Sequence, residues 1–517
     1  MKKSENIVSL IKSLSKSEKR YFKLFVAKNS KGEKNYYKKL FDLIEKSGSA
    51  EKQAIQEFCS DEELTGKQFK IHKHRLYDQI LNSLAAYHTK TSIDDEILES
   101  IRKAKILYDK GLFAHAESML EKAKGIASKY EKYALLLEII RWHKQIMNTS
   151  SFYHENLNEE FIHQMSEEEN LTINKLANTN DIWKIRSLIF LSFRTNGIAR
   201  VQQDIEKYNN LIKNPIFKNE ELASSYRAKV FYYSLHTNYF NITNNKEKAY
   251  QAAKKMVSIM EENPHQIEYE PANYCIALHN LLFTSIALKK YTESFSLVPL
   301  LKSIIRKHQL HSSHLFRCYN TVFAEYVYIG QYQKAMQLLP EIDSILKEKK
   351  NYDELLNIYF TINKILLYFG NKNYHQSIAN INLLLNNKNY LREDLYCFAK
   401  MFQLIVHFDK ENYDFLPHLI KSVYRYLLYQ DKLYQFERII IQFIRMKLPG
   451  INSKKEQTEA FKSLRKELIA ISNDPLEARF LELFDIVSWL ESKIENRPFD
   501  EILREKSGYT LEEEIEQ

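Results

Sequence analysis

Apolar positions along this chain fall at helical spacing. Through GKQFKIHKHRLYDQILNSLAAYH, residues 66–88, Phe69, Leu76, Tyr77, Ile80, Leu84 and Tyr87 are separated mostly by 3, 4 and 7 positions, which places them on one face of a helix. Further on, a fixed pattern returns in GLFAHAESMLEKA (from 111), KYTESFSLVPLLK (290), GQYQKAMQLLPEI (330) and NYHQSIANINLLL (373). Each has an aromatic residue (Phe113, Tyr291, Tyr332, Tyr374), a small residue three positions on, and apolar residues four and seven further. Tyr413 in ENYDFLPHLIKSV continues the series, so that from Tyr291 the intervals are 41, 42 and 39 residues. Weaker anchors at Tyr153, Ile198 and Lys246 fill the earlier stretch with intervals of 40, 45, 48 and 45. The spacing predicts eight helix pairs over 97–430 and a ninth at 433–472.

The pattern has a mechanical reason in helix-hairpin packing. A small residue such as Ala116 or Ala335, early in the second helix, lets that helix approach the first closely. The aromatic three before it plugs the turn, and Gly111 and Gly330 supply the permissive backbone that ends the first helix. Leu120 and Ala123, or Leu339 and Ile342, extend the stripe for the next pair to cover. The positions Tyr326, Gly330, Tyr332, Ala335, Leu339 and Ile342 resemble the second half of a tetratricopeptide repeat, and Leu107, Gly111, Phe113, Ala116, Leu120 and Ala123 do so too. Tetratricopeptide units run about 34 residues and HEAT-type units about 40–47, so the period here marks these as lengthened, degenerate tetratricopeptide-like hairpins. The resemblance covers about two thirds of the chain and implies an all-α, right-handed α-solenoid of antiparallel helix hairpins. Inner-surface positions of such a solenoid, counted from the anchors, are Lys105, Tyr108, Asn238, His279, Phe283, Asn320, Tyr328, Ile362 and Met401. Any of them can equally serve inter-helix packing. The N-terminal stretches SKSEKRYFKLF, NYYKKLFDLI and HKHRLYDQILNSLAAYH resemble the start of a group of uncharacterised bacterial helical-repeat proteins, a similarity that carries no activity with it.

The two ends depart from the rhythm, giving an expected organisation of 1–90 as a basic helical domain, 91–450 as the repeats and 451–517 as a terminal repeat or cap. Ser15-x-x-Glu18 and Ser453-x-x-Glu456 read as capping boxes. Asp474 and Pro475 read as the cap and first turn of a further helix, and EEEIEQ closes the chain with a polar face. Short helices are expected over NYYKKLFDLIEK and EKQAIQEF.

Composition sharpens this in three ways. The chain has 10 Gly and 9 Pro among 517 residues, too little turn chemistry for a sheet protein. Its net +9 is unevenly placed: residues 1–90 carry 19 Lys+Arg and 11 Asp+Glu, a net +8, and the rest only +1. Attraction for polyanions is therefore concentrated at the front. Cys59, Cys275, Cys318 and Cys397 are isolated, which suits reduced thiols, and no apolar run approaches the roughly 18 residues of a membrane span. A cytoplasmic protein without membrane association is expected, and the abundance of Lys, Asn, Ile and Tyr suggests an AT-rich, bacterial genome.

Candidate chemistry is sparse. Lys67, Lys70, Lys73, His74 and Arg75 crowd the first half of the helix at 66–88. They can be a solvated edge of a packed helix, or nucleic-acid contacts if 53–60 and 66–88 form a helix-turn-helix; against the latter, the connection CSDEELT is long and acidic. TGKQ at 65–68 lacks the glycine and hydroxyl of a phosphate loop, and no G-x-S-x-G, H-E-x-x-H or G-x-G-x-x-G occurs. His308, His311 and His314 have ligand-like spacing but no carboxylate or thiolate among them, so a polar loop is the better reading and no metal or cofactor is assigned. The expectation is a non-enzymatic scaffold holding a protein or peptide in its groove. The alternative is a regulator whose residues 1–90 contact nucleic acid while the repeats sense a partner. The partner's identity and the oligomeric state stay open.

Overall fold

The computed structural model describes residues 5–29, 36–47, 66–88, 92–149, 158–197, 202–348, 353–386, 392–447, 453–472, 474, 477 and 479–508. Among these the chain is helical throughout, without a strand, and it divides into two compact units, Met1–Thr172 and Ile173–Gln517. No helix among the described residues is long and apolar enough to cross a membrane.

The first unit opens with α1 (Glu5–Ser13), α2 (Lys16–Asn29), α3 (Tyr36–Ser47) and α4 (Gly66–His88). Their apolar stripes close one cluster, with Ile7, Phe22, Phe41, Phe69, Leu76 and Ile80 buried together. The Ser15 capping box is reciprocal: Glu18 N–H donates to Ser15 Oγ at 3.2 Å and Ser15 N–H to Glu18 Oε2 at 2.7 Å. The expected helix at 53–60, and with it the helix-turn-helix pairing, lies outside the described residues. Next come α5 (Ile93–Asp109), α6 (Phe113–Lys129) and α7 (Tyr133–Thr149), which share a second cluster around Ile97, Leu120, Ile139 and Ile146.

The boundary between the units falls within α8 (Glu159–Asn196), a single helix of 38 residues. The anchors at Tyr153 and Ile198 predict a turn in the middle of this stretch, and the chain makes none, so the even run of eight hairpins does not hold here. The segment contains neither Gly nor Pro to interrupt it. Tyr153 and Ile198 themselves lie outside the described residues.

In the second unit, α9 (Gln202–Leu211), α10 (Pro215–Lys218) and a 3-10 turn lead into a regular series of helices. The first members of its pairs are α11 (Tyr226–Ile242), α14 (Pro271–Ala287), α16 (Ser312–Tyr328), α18 (Glu354–Gly370) and α20 (Glu393–Asp409). The second members are α12 (Lys246–Glu261), α15 (Tyr291–Lys307), α17 (Tyr332–Glu348), α19 (Tyr374–Asn386) and α21 (Leu416–Tyr429); the short α13 (Pro264–Tyr269) sits before α14. Each helix packs on the next, and α16 also packs on both α14 and α18. Then follow α22 (Gln435–Gln442) with a π-helical continuation to Lys447, α23 (Lys454–Ile471), α24 (Arg479–Leu483), α25 (Ile486–Glu495) and α26 (Phe499–Ser507). One core runs from Phe316 to Leu503 and so takes in these last helices. Ser453 caps α23 as its sequence predicts, and Asp485 starts a separate helix, α25, by accepting from Ser488 N–H at 2.9 Å. Beyond Asp474 the first described helix starts at Arg479; Pro475 and EEEIEQ lie outside the described residues.

The hairpin grammar is visible in atomic terms. Ala116, Ala249, Ser294, Ala335 and Ser377, each three residues after an anchor, are all fully buried at 0% exposure, which is what close helix approach requires. The anchor rings meet the end of the preceding helix, Phe113 on Tyr108 at 5.4 Å and Tyr374 on Phe369 at 6.2 Å between centroids. Gly111 and Gly330 are left-handed, with φ of 72° and 75°, but so are Glu131, Asn244, Lys289, Gln309, Lys372, Glu411 and Asp431 at the other turns. Each closes with the same long-range bond, for example Gln331 N–H to Tyr326 O at 2.8 Å and Lys290 N–H to Ser285 O at 2.9 Å, the Schellman closure.

Candidate functional site

Two surfaces and one cluster around a buried histidine carry the candidate chemistry. The first surface belongs to the first helices of the second unit. Residues at i, i+4, i+7 and i+11 face outward in three successive members: Ile276, Asn280, Phe283 and Ala287 on α14, Arg317, Thr321, Ala324 and Tyr328 on α16, and Asn357, Thr361, Lys364 and Tyr368 on α18. All of these are exposed or half-buried, and Phe283 and Ile276 are 51% and 40% exposed.

Of the inner-surface positions expected from the sequence, Phe283 is exposed and Tyr328 half-buried on this face, and others lie in the core. Ile362 and Met401 are fully buried at 0% in the core, while Thr361 and Lys400 beside them look outward. Asn320 is buried beside outward-facing Thr321 and bonds across helices, accepting from Asn363 Nδ2 at 3.4 Å. His279 stands one position before Asn280 and turns toward α16, where its Nε2 lies 2.7 Å from Thr321 Oγ1. Burial, with Arg317 and His314 nearby, pushes the His279 imidazole down to about 3, so the ring is neutral. Successive helical residues are turned 100° from one another, so an error of one position exchanges surface for core. Asn238 is half-buried on α11. In the first unit Lys105 is exposed on α5, and Tyr108 is half-buried, its hydroxyl 2.9 Å from Thr149 Oγ1.

The second surface is on α4. Lys67, Lys70, Ile71, His74 and Arg75 are exposed along one helical face, and Lys73 is half-buried off it, again through the rotation between adjacent residues. Lys67, Lys70 and Arg75 have no ion pair among the described residues, whereas His74 Nδ1 lies 2.9 Å from Asp78. The lysines of α2 differ: Lys19 and Lys23 pair with Asp42 and Glu45 of α3.

The histidines at 308, 311 and 314 do not converge. His311 caps α16 by accepting from Ser313 N–H at 3.1 Å, and His308 faces Glu268 at 3.9 Å. The cysteines Cys275 and Cys318 are buried, and burial pushes their thiols up to about 11 and about 12, leaving them protonated.

The cluster around the buried histidine is one that no sequence signal singles out. Glu117 and Glu121, one turn apart on α6, meet His143 of α7, with ligand atoms of all three within 4.8 Å of one another. His143 Nδ1 lies 2.6 Å from Glu117 Oε1, and Nε2 lies 3.6 Å from Glu121 Oε1. His143 is only 5% exposed. The one available signal, Glu-x-x-x-Glu followed in the next helix by a histidine, is too common in helical chains to be selective.

No protein-family model and no curated protein matches this chain. Its class is accordingly the one the fold itself defines, an all-α protein of many helices packed in series.

Proposed function

We propose that this chain is a non-enzymatic, tetratricopeptide-like binding protein that holds an extended segment of a partner protein against the first helices of its second unit. The observation carrying this reading is the row of outward residues on α14, α16 and α18. The amide side chains of Asn280 and Asn357 suit the donors and acceptors of a peptide backbone, and the hydroxyl oxygen of Thr361, whose proton goes to Asn357 O, can accept. Exposed Phe283 and Ile276 offer apolar anchor points beside them. The test is site-specific photo-crosslinking from position 283 and, as a control, from exposed Leu98 of the first unit. A partner crosslinked from 283 alone, and lost in a Thr321→Arg, Thr361→Arg variant of unchanged helicity, is the expected result; equal crosslinking from both positions refutes the reading.

A second reading has its own observation, the unpaired exposed cations Lys67, Lys70 and Arg75 on α4. In it the chain is a regulator whose first ninety residues bind nucleic acid. Binding of duplex DNA or single-stranded RNA that falls steeply with salt, and is lost in Lys67→Glu, Lys70→Glu, Arg75→Glu, is its expected signature. Absence of binding at low salt removes it.

A further inference from the structure

We infer that Glu117, Glu121 and His143 form a site for a divalent first-row transition-metal ion, with His143 Nε2 and Glu121 as its protein ligands and Glu117 as the carboxylate that orients the imidazole. A carboxylate accepts and does not donate, so the 2.6 Å contact to Glu117 Oε1 assigns the proton of His143 to Nδ1. That leaves the other ring nitrogen facing the carboxylate of Glu121. Nε2 has no hydrogen-bond partner although it is buried, and neither has Glu117 Oε2. A bare imidazole lone pair against a carboxylate oxygen is repulsive. Something positive belongs between them.

Distance distinguishes the two candidates. A proton would draw Nε2 and the carboxylate to about 2.7–2.9 Å, the length of a charge-assisted hydrogen bond. The separation is 3.6 Å, too long for one. Two atoms bound to one ion at ~2.1 Å each, at an angle near tetrahedral, stand ~3.4 Å apart, close to what the structure has. The second requirement, an imidazole held in one tautomer by a carboxylate on its far nitrogen, is met by Glu117. The local sequence makes this possible because a four-residue interval puts both carboxylates on one helix face, toward the adjacent antiparallel helix. Lys124, three residues beyond Glu121 on α6, pairs with Glu168 at 2.8 Å. One imidazole and a carboxylate, completed by water because Glu121 is 59% exposed, suit zinc, cobalt or manganese better than calcium.

The test is titration of the full chain with Co²⁺, read by its visible absorption, and with Zn²⁺, read by calorimetry. One equivalent should bind saturably. Glu121→Gln, a surface change that leaves the fold intact, should abolish saturable uptake. Glu117→Gln should weaken it about 10–100-fold, as loss of an orienting carboxylate does. Absence of uptake by the wild-type chain at sub-millimolar metal overturns the inference, as does equal uptake by wild type and Glu121→Gln. So does an NMR spectrum with both ring nitrogens of His143 protonated in metal-saturated protein, which would make the cluster an imidazolium clamp.

Discussion

The hairpin at Gly111 in the first unit and the hairpin at Gly330 in the second are written in nearly the same letters and live in different surroundings. Both place glycine in the left-handed region, both follow it two residues on with an aromatic, and both bury an alanine completely. At Gly111 an added Cβ would meet nothing within 4 Å. At Gly330 it would stand 2.5 Å from the carbonyl oxygen of Asp500 and 3.0 Å from Leu503 Cβ, because α26 lies over the turn. Arg504 of the same helix also donates to Gly330 O at 3.1 Å. Phe113 is half-buried, whereas Tyr332 is 5% exposed and its ring fills the place a Cβ on Gly370 would need. The comparison teaches that a local motif can build the same turn twice while its tolerance to change is set by what the rest of the fold lays against it.

The largest effect should come from the aromatic. Tyr332→Ala is expected to cost about 4 kcal/mol and Phe113→Ala roughly half of that, measured by denaturant midpoints. Gly370→Ala should also be severe, about 3 kcal/mol by overpacking, and should be largely relieved in combination with Tyr332→Ala. Additive losses in that double variant would show that ring and glycine are not in fact coupled.

Next comes the glycine pair. Gly111→Ala should cost only the left-handed backbone penalty, about 1 kcal/mol, while Gly330→Ala adds the clash with α26 and should cost about 3 kcal/mol. Equal losses would mean that α26 yields, and the contrast between the two hairpins would then fail. Smaller and of opposite sign, Lys289→Gly and Lys372→Gly should each stabilise by about 0.5–1 kcal/mol, since both residues hold φ of 59° at the cost of Cβ strain.

The smallest difference is in pH. His279 of the second unit is held neutral by burial, and His236, His314 and His407 are shifted downward for the same leading reason. Between the ordinary histidine value of 6.5 and about 3, the folded chain binds fewer protons at His279 than the unfolded chain does. Stability therefore rises with pH across that window, is complete above it, and is lost on acidification. Hydrogen exchange should show α14 and α16 loosening as the pH falls, and His279→Gln should flatten that dependence; an unchanged slope would separate His279 from it.

Much of this fold was legible because hairpin packing leaves a one-dimensional trace. Anchors at Phe113, Lys246, Tyr291, Tyr332 and Tyr374 are each the first residue of a second helix. The left-handed turns were legible at Gly111 and Gly330 and invisible at Lys289, Gln309 or Glu411, because a Schellman closure tolerates a side chain whose strain the packed helices outweigh. The α8 segment was misread because weak anchors at roughly repeat spacing do not by themselves make a turn.

What the sequence by itself determined is the alphabet of the structure: helices of a set length, the small residue that lets two of them touch, and a charge excess gathered in the first ninety residues. These are properties of intervals along the chain, and intervals survive without coordinates. Tertiary structure alone decided which side of each helix is surface. It turned Thr321 and Thr361 outward and Asn320 and Ile362 inward, a rotation smaller than a periodicity argument resolves. It also decided which distant residues meet. Asp500 covers Gly330, and Glu117 and Glu121 enclose His143, because pairing between elements is fixed by the competition of all buried surfaces at once and leaves no local mark.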